Sequence, residues 1–241
     1  MNRESTILIE HDTSGAYEVE VFDTSHPKSI VVCVHGRGVH REDGEAFFYA
    51  IAKHYPDHVF ILVDQNQFDG DTCLLSPLKV ALGRVQRVIG LAHEKYPEAP
   101  LVLLGHSMGS GLITQLDLTN VSRAIFVAPA AGKETDKLIS RYGADVANGK
   151  VTISSDGLKK NMSKEYFESV QGVVGGDEYR RLLAHFASVY VFESGDEEIV
   201  CEERFELRDM PFANYEIIPG ATHNVHDKAL QQLFASLNSL L

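Results

Sequence analysis

The sequence predicts an α/β domain built around a mostly parallel central sheet flanked by helices. Three observations predict it. Runs such as Ser29–His35 and Pro100–Gly105 are apolar without alternation, the pattern of a strand covered on both faces. Stretches with helical spacing separate those runs, as βαβ crossovers require. The chain has 241 residues, 44% apolar and 23% charged, enough apolar material to bury such a sheet. That composition excludes disorder as a description of the whole chain.

The elements follow in order. Alternation in Thr6–Glu10 and Tyr17–Phe22, with a turn at Ser14-Gly15, predicts an antiparallel hairpin. Ser29–His35 is the first buried strand, and a helix near Glu45–Tyr55 leads to the second, Val59–Val63. Pro77–Tyr96 carries Val80, Leu82, Val85, Val88, Ile89 and Leu91 at helical spacing behind a starting proline. It leads to Pro100–Gly105, a helix over about Met108–Leu118, and a strand over Ala124–Ala128. The rhythm then stops. From Ala130 to about Phe186 the chain is polar and glycine-rich, with a strand-like Lys150–Ser154 and a helical Lys164–Val170. It resumes with Val189–Phe192, Asn214–Ile218 and a helix over Asp227–Leu241. Residues 131–187 therefore read as an insertion within one domain spanning 1–241, not as a linker between two.

Charge and cysteine content narrow the function classes. The formal net charge is −12 with no basic stripe, which argues against a nucleic-acid partner. Neither G-x-x-x-x-G-K-[ST] nor G-x-G-x-x-G occurs, so no nucleotide cofactor is expected, and no other cofactor is implied. Three cysteines (Cys33, Cys73, Cys201) without a C-x-x-C fit a reducing compartment. No signal-peptide apolar region follows Met1–Thr6, and no run of about 18 apolar residues exists to span a membrane. The expectation is a cytoplasmic protein.

The strongest motif is Gly105-His106-Ser107-Met108-Gly109, a G-x-S-x-G directly after a buried strand and directly before a helix. So sharp a turn strains the central residue and exposes its hydroxyl at the C-terminal edge of the sheet. A Cβ at either glycine would collide with the neighbouring strand or helix. The helix behind Ser107 points its positive end at any developing oxyanion.

With this motif in this context, over nearly its whole length, the chain resembles the α/β-hydrolase fold family, specifically its small serine esterases and lipases. Val34-His35-Gly36-Arg37-Gly38 looks like that family's H-G-x-G turn. The resemblance implies an oxyanion hole made by the backbone N–H groups of Arg37 and Met108. A serine at the elbow argues against the dehalogenases and epoxide hydrolases of this fold, which use Asp there.

The family's chain order of Ser, acid, His puts the general base late. His223, after the strand ending near Pro219, fits that position, and His226 three residues on is the rival. No carboxylate or cysteine cluster accompanies the two, so no metal site is expected. His35 and His106 sit in the motif turns, where packing or orienting roles are expected. The acid should lie in Ser194–Val200. One register places Glu197 in the role, and sliding by one residue places Asp196 there. Both stay open, with Glu198 a distant third.

The insertion resembles the short cap that many esterases of this family carry. With nine basic and eight acidic residues it is almost neutral. Its Tyr142, Phe167, Val170, Val173 and Val174 suit a small-molecule ester with an apolar or aromatic acyl group. The expectation is thus a carboxylic-ester hydrolase acting through an acyl-enzyme. A thioesterase, a monoacylglycerol lipase or an acyltransferase on the same apparatus is the alternative, and a non-catalytic binding protein of this fold is the rival from another class.

Overall fold

A computed structural model of the chain describes residues 4–39, 46–130, 140–145, 151–155, 158–170, 175–199 and 205–241. Its frame is an eight-stranded sheet. Strands β1 (Thr6–Asp12) and β2 (Gly15–Phe22) form the expected hairpin at one edge. The interior holds β3 (Ile30–Val34), β4 (Val59–Val63), β7 (Leu101–His106), β8 (Arg123–Val127) and β11 (Val189–Ser194), and β12 (Asn214–Ile218) forms the other edge. The spatial order is β1-β2-β4-β3-β7-β8-β11-β12. Every pairing from β4 to β12 is parallel, and only the hairpin end is antiparallel.

Successive side chains of a strand point to opposite faces, and both faces here are covered. Ile30, Val32 and Val34 pack with Val85, Val88 and Ile89 of helix α2 (Leu78–Lys95). Val31 and Cys33 pack on the other side with Phe48 and Ile51 of α1 (Ala46–His54) and Leu233 and Phe234 of α7 (Asp227–Leu237). This is why the strands read as unbroken apolar runs.

Two helices end earlier than their apolar pattern predicts. Helix α3 covers only Met108–Ile113. Beyond it the N–H groups of Gln115 and Leu116 reach back three residues, to Leu112 and Ile113, and Asp117 then caps a turn through Thr119. Two glycines in six residues leave this helix little propensity to extend. Helix α7 stops at Leu237 and closes in a turn, with Leu240 N–H on Leu237 C=O.

The unexpected element is a second sheet of four strands, ordered β5-β6-β10-β9. Its β9 (Val151–Ser155) and β10 (Leu158–Met162) come from the inserted stretch, but β5 (Gln67–Asp69) and β6 (Thr72–Leu74) follow β4 of the main sheet. β10 pairs parallel to β6. Helix α4 (Lys164–Val170) closes a small apolar cluster with it, made of Cys73, Leu75, Val151, Met162, Tyr166, Phe167 and Val170. Helix α5 (Gly175–His185) instead joins the main core through Tyr179 and Leu182. Much of the expected insertion, Val173 and Val174 included, lies outside the described residues.

Buried polar residues gather at the C-terminal ends of the parallel strands: His35 after β3, Asp64 and Gln65 after β4, His106 on β7, Glu193 on β11. Glu193 is closed off by Arg208 of α6 (Phe205–Arg208), whose Nε donates at 2.8 Å, and by the Tyr215 hydroxyl at 2.6 Å. Unpaired, a carboxylate in such a place would cost several kcal/mol. This edge of the sheet is where open α/β folds bind ligands.

Candidate active site

Ser107 sits between β7 and α3 with φ 53° and ψ −123°. A side chain at positive φ is strained by about 1–3 kcal/mol and persists only where the surroundings hold it. Here the end of β8 holds it. The Ser107 N–H donates to Val127 C=O at 3.1 Å, and Ser107 C=O accepts from the N–H groups of Ser110 and Ala130, each at 3.1 Å. The Tyr179 hydroxyl in turn donates to Ala130 C=O at 3.2 Å, and burial pushes its pKa far up.

Both motif glycines are required by close approach. A Cβ on Gly105 would lie 2.8 Å from the backbone of Ser110. One on Gly109 would lie 2.0 Å from Val34 C=O and 2.7 Å from His35 C=O. The second contact brings the start of α3 against the end of β3, and so the Gly36-Arg37-Gly38 turn beside the elbow. Gly38 has φ 64°, and Lys160 of β10 covers it.

His223 is buried, and its ring lies 4.9 Å from that of His106, the residue before the serine. His106 Nε2 donates to His223 C=O at 2.9 Å. On the other side Glu197 reaches His223 Nδ1 with both oxygens, at 2.9 and 3.0 Å, and its side chain is only 2% exposed. The Glu197 carboxylate also accepts the Ile199 N–H at 2.8 Å, which curls the loop around it. Nδ1 therefore carries a proton toward Glu197, leaving Nε2 to accept one.

Of the two candidate carboxylates, the one that meets the His223 ring is Glu197. Asp196 is exposed, and its backbone N–H is bound to Ala221 C=O at 2.8 Å, so the loop fastens it by main chain and turns the next residue inward. Asp196 is thus not brought to His223. Glu198 accepts the His223 backbone N–H at 3.0 Å, away from the ring. His226, 64% exposed at its side chain, starts α7 and pairs with Asp227 at 3.3 Å.

Several neighbours of the site carried no motif. The Tyr166 hydroxyl of α4 lies 4.0 Å from Met108 Sδ. Burial pushes its pKa up, and the nearby Arg37 charge opposes that. Cys73 lies in the same cluster, its thiol pushed up to about 12 by burial. Arg84 and Gln65 behind the H-G-x-G turn were also missed. The available signal was Arg84 itself, a charge inside the apolar stripe of α2 between Ala81 and Val85. Among the described residues no group of His, Cys, Asp and Glu could hold a metal ion, and no helix is long and apolar enough to cross a membrane.

The strand order and the serine elbow define the α/β-hydrolase class. The family described as serine aminopeptidase, S33, matches residues 25–149, just over half of the chain, and the chain belongs to that family. The match includes Arg37, Ser107 and Met108 and ends before Glu197 and His223. No curated protein sequence matches significantly. Among solved structures, a soluble variant of monoglyceride lipase from Saccharomyces cerevisiae is similar over 100% of this chain and 95% of its own, with TM-score 0.79 at 14% identity. A thermostable carboxyl esterase from Bacillus coagulans gives 0.71 at 13% identity, covering 99% of each chain. Est1E from Butyrivibrio proteoclasticus gives 0.69 at 15%, covering 97% of this chain and 96% of its own.

Proposed function

We propose that the protein is a carboxylic-ester hydrolase acting through an acyl-enzyme. The observation that carries this reading is a serine held at positive φ on a strand–helix elbow, next to a buried His–Glu pair. Ser107 Oγ attacks the ester carbonyl while His223 Nε2 takes its proton. Glu197 holds the ring and stabilises the imidazolium. The backbone N–H groups of Arg37 and Met108 receive the oxyanion. His223 then protonates the leaving alcohol, and water repeats the cycle on the acyl-enzyme. Needing no cofactor, this chemistry runs on the chain's own groups.

The same reading takes 131–187 as a cap within one domain spanning 1–241. Tyr166 against Met108 and Lys160 against Gly38 support it, because both come from that stretch and meet the elbow and the H-G-x-G turn. The apolar cluster around Tyr166 and Phe167 supports an apolar or aromatic acyl group. Each CH₂ buried there is worth about 0.8 kcal/mol, so kcat/KM rises with chain length up to the limit of the pocket. A monoacylglycerol is the favoured natural ester, since a structure similar over the full chain is a monoglyceride lipase with a substrate analog. Cys33 and Cys73, both buried and neither in a disulfide, support a reducing, cytoplasmic setting.

The test is a panel of p-nitrophenyl esters of increasing chain length, with monoacylglycerols, hydroxycinnamoyl esters, an acyl thioester and an amino-acid anilide. A fluorophosphonate labels Ser107 stoichiometrically, and Ser107→Ala abolishes labelling and hydrolysis. Labelling at another serine, or a Ser107→Ala variant that still hydrolyses esters, overturns the reading. Faster turnover of the anilide than of every ester makes the protein a peptidase instead.

A further inference from the structure

We propose that His35 is a positioning residue that aims one of the two oxyanion donors, with Gln65 and the buried Arg84 holding it in that role. The proposal deepens the function proposed above and rests on it for the role of the Arg37 N–H.

The argument starts from hydrogen-bond direction. His35 is 1% exposed. The backbone N–H of Gln65 meets its Nε2 at 3.1 Å, and an N–H can only donate. Nε2 is therefore the unprotonated nitrogen of the neutral ring, and the proton is on Nδ1. Nδ1 lies 2.8 Å from Gly36 C=O and so donates to it. Gly36 C=O and Arg37 N–H belong to the same peptide unit. That peptide is planar and trans, so its C=O and N–H point in opposite directions. Fixing the carbonyl on the buried ring turns the Arg37 N–H away from the ring.

Gln65 is itself held. Its side-chain amide donates to His35 C=O at 3.1 Å, so it grips His35 at two points. One Arg84 nitrogen donates to the carbonyls of Gln65, at 3.2 Å, and Asn66, at 3.0 Å. The Arg84 side chain is wholly buried, with Nε on Asp12 at 2.6 Å and its guanidinium 4.7 Å over the Tyr17 ring. Asn66 also accepts the Ser76 N–H at 3.2 Å. A planar, always-charged fork is suited to fixing two backbone carbonyls at once. The line from Arg84 through Gln65 and His35 to Arg37 N–H is continuous and made of directed bonds.

Two amides separate the functions of the ring. The Asn amide nitrogen falls near the position of Nδ1 and can donate to Gly36 C=O; Gln places its amide at the position of Nε2 and cannot. His35→Asn is expected to keep kcat within about threefold of the parent. His35→Gln, which still meets the Gln65 N–H, is expected to lose kcat at least about tenfold with KM within about twofold, the pattern of an interaction made only in the transition state. Preference for an oxygen ester over its thionoester, whose sulfur accepts hydrogen bonds poorly, should shrink in His35→Gln alone. Melting temperatures are read alongside, and the ring nitrogens of His35 in the parent protein should give the Nδ1–H pattern by ¹⁵N NMR. An Nε2–H pattern, parent-like kcat in His35→Gln, or equal losses in both variants that follow their melting temperatures would overturn the proposal. If Ser107→Ala is inactive and His35→Gln is not, this inference alone fails; if Ser107→Ala is active, the proposed function fails first.

Discussion

Glu197 and Asp196 are adjacent, equally charged and chemically interchangeable as partners for an imidazole. The loop treats them differently: it is fastened through the Gly195 and Asp196 N–H groups to Ile218 and Ala221 C=O, and the side chain that meets His223 is that of Glu197. A buried carboxylate held on Nδ1 fixes the tautomer that leaves Nε2 free to take a proton. We therefore expect Glu197→Gln to lower kcat by at least about 10²-fold and Asp196→Asn to stay within about threefold, by steady-state kinetics on one ester. His223→Ala should lose about 10³-fold or more, with His226→Ala again within about threefold, since His226 is exposed at the start of α7. The reverse order in either pair would reassign that role.

At the scale of elements, the elbow is a contact between the end of β3 and the start of α3, closer than any side chain allows. Gly109→Ala would push a methyl group to 2.0 Å from Val34 C=O, so strand and helix must separate. Overpacking against backbone belongs at the upper end of the usual range, about 3 kcal/mol, or a fall in Tm of roughly 6–12 °C for a chain of this size. The control is in the same short helix. Gly111 has nothing within 4 Å of its missing Cβ, and Gly111→Ala should leave Tm unchanged or raise it slightly, because Ala is about 0.5–1 kcal/mol better than Gly inside a helix. Thermal melts of the two variants check the pair. Equal effects would mean that the helix, not the contact, sets the requirement.

Across the whole molecule, the edge hairpin is tied to α2 by ion pairs. Asp12 meets Arg84 at 2.6 Å, and Asp23 meets Lys95 at 2.8 Å. Burial pulls both carboxyls upward, but hydrogen bonds from Arg84 and the Ser14 N–H to Asp12, and from Lys95 and Tyr96 to Asp23, outweigh it and leave both below the ordinary 3.8. A carboxyl with a lowered folded pKa stabilises the fold above its unfolded pKa, and that contribution is lost as pH falls through the folded value. Stability should therefore fall between about pH 4 and the depressed values. Urea melts from pH 6 to pH 3 should show a shallower acid loss in Asp12→Asn than in the parent. An unchanged slope would place the acid sensitivity elsewhere.

The sequence by itself determined what depends on near neighbours along the chain. Unbroken apolar runs named the buried strands, because a strand covered on both faces cannot show alternation. G-x-S-x-G between such a run and a helix named the serine and the reason for both glycines. His223 followed from the resemblance, whose order of serine, acid and histidine puts a base after the last strand. Tertiary structure alone decided what depends on residues far apart. The β5–β6 hairpin paired with β10, about 90 residues later, has no local signal in segments of three residues. The meeting of Glu197 with His223, 26 positions later, is a contact between two loops that neither segment signals by itself. Arg84 interrupts the apolar stripe of α2, and it is buried there because Asp12, Tyr17, Gln65 and Asn66, from three other segments, surround it with partners. A buried charge is tolerated only where the fold delivers its partners, and periodicity within one segment carries no record of what another segment delivers.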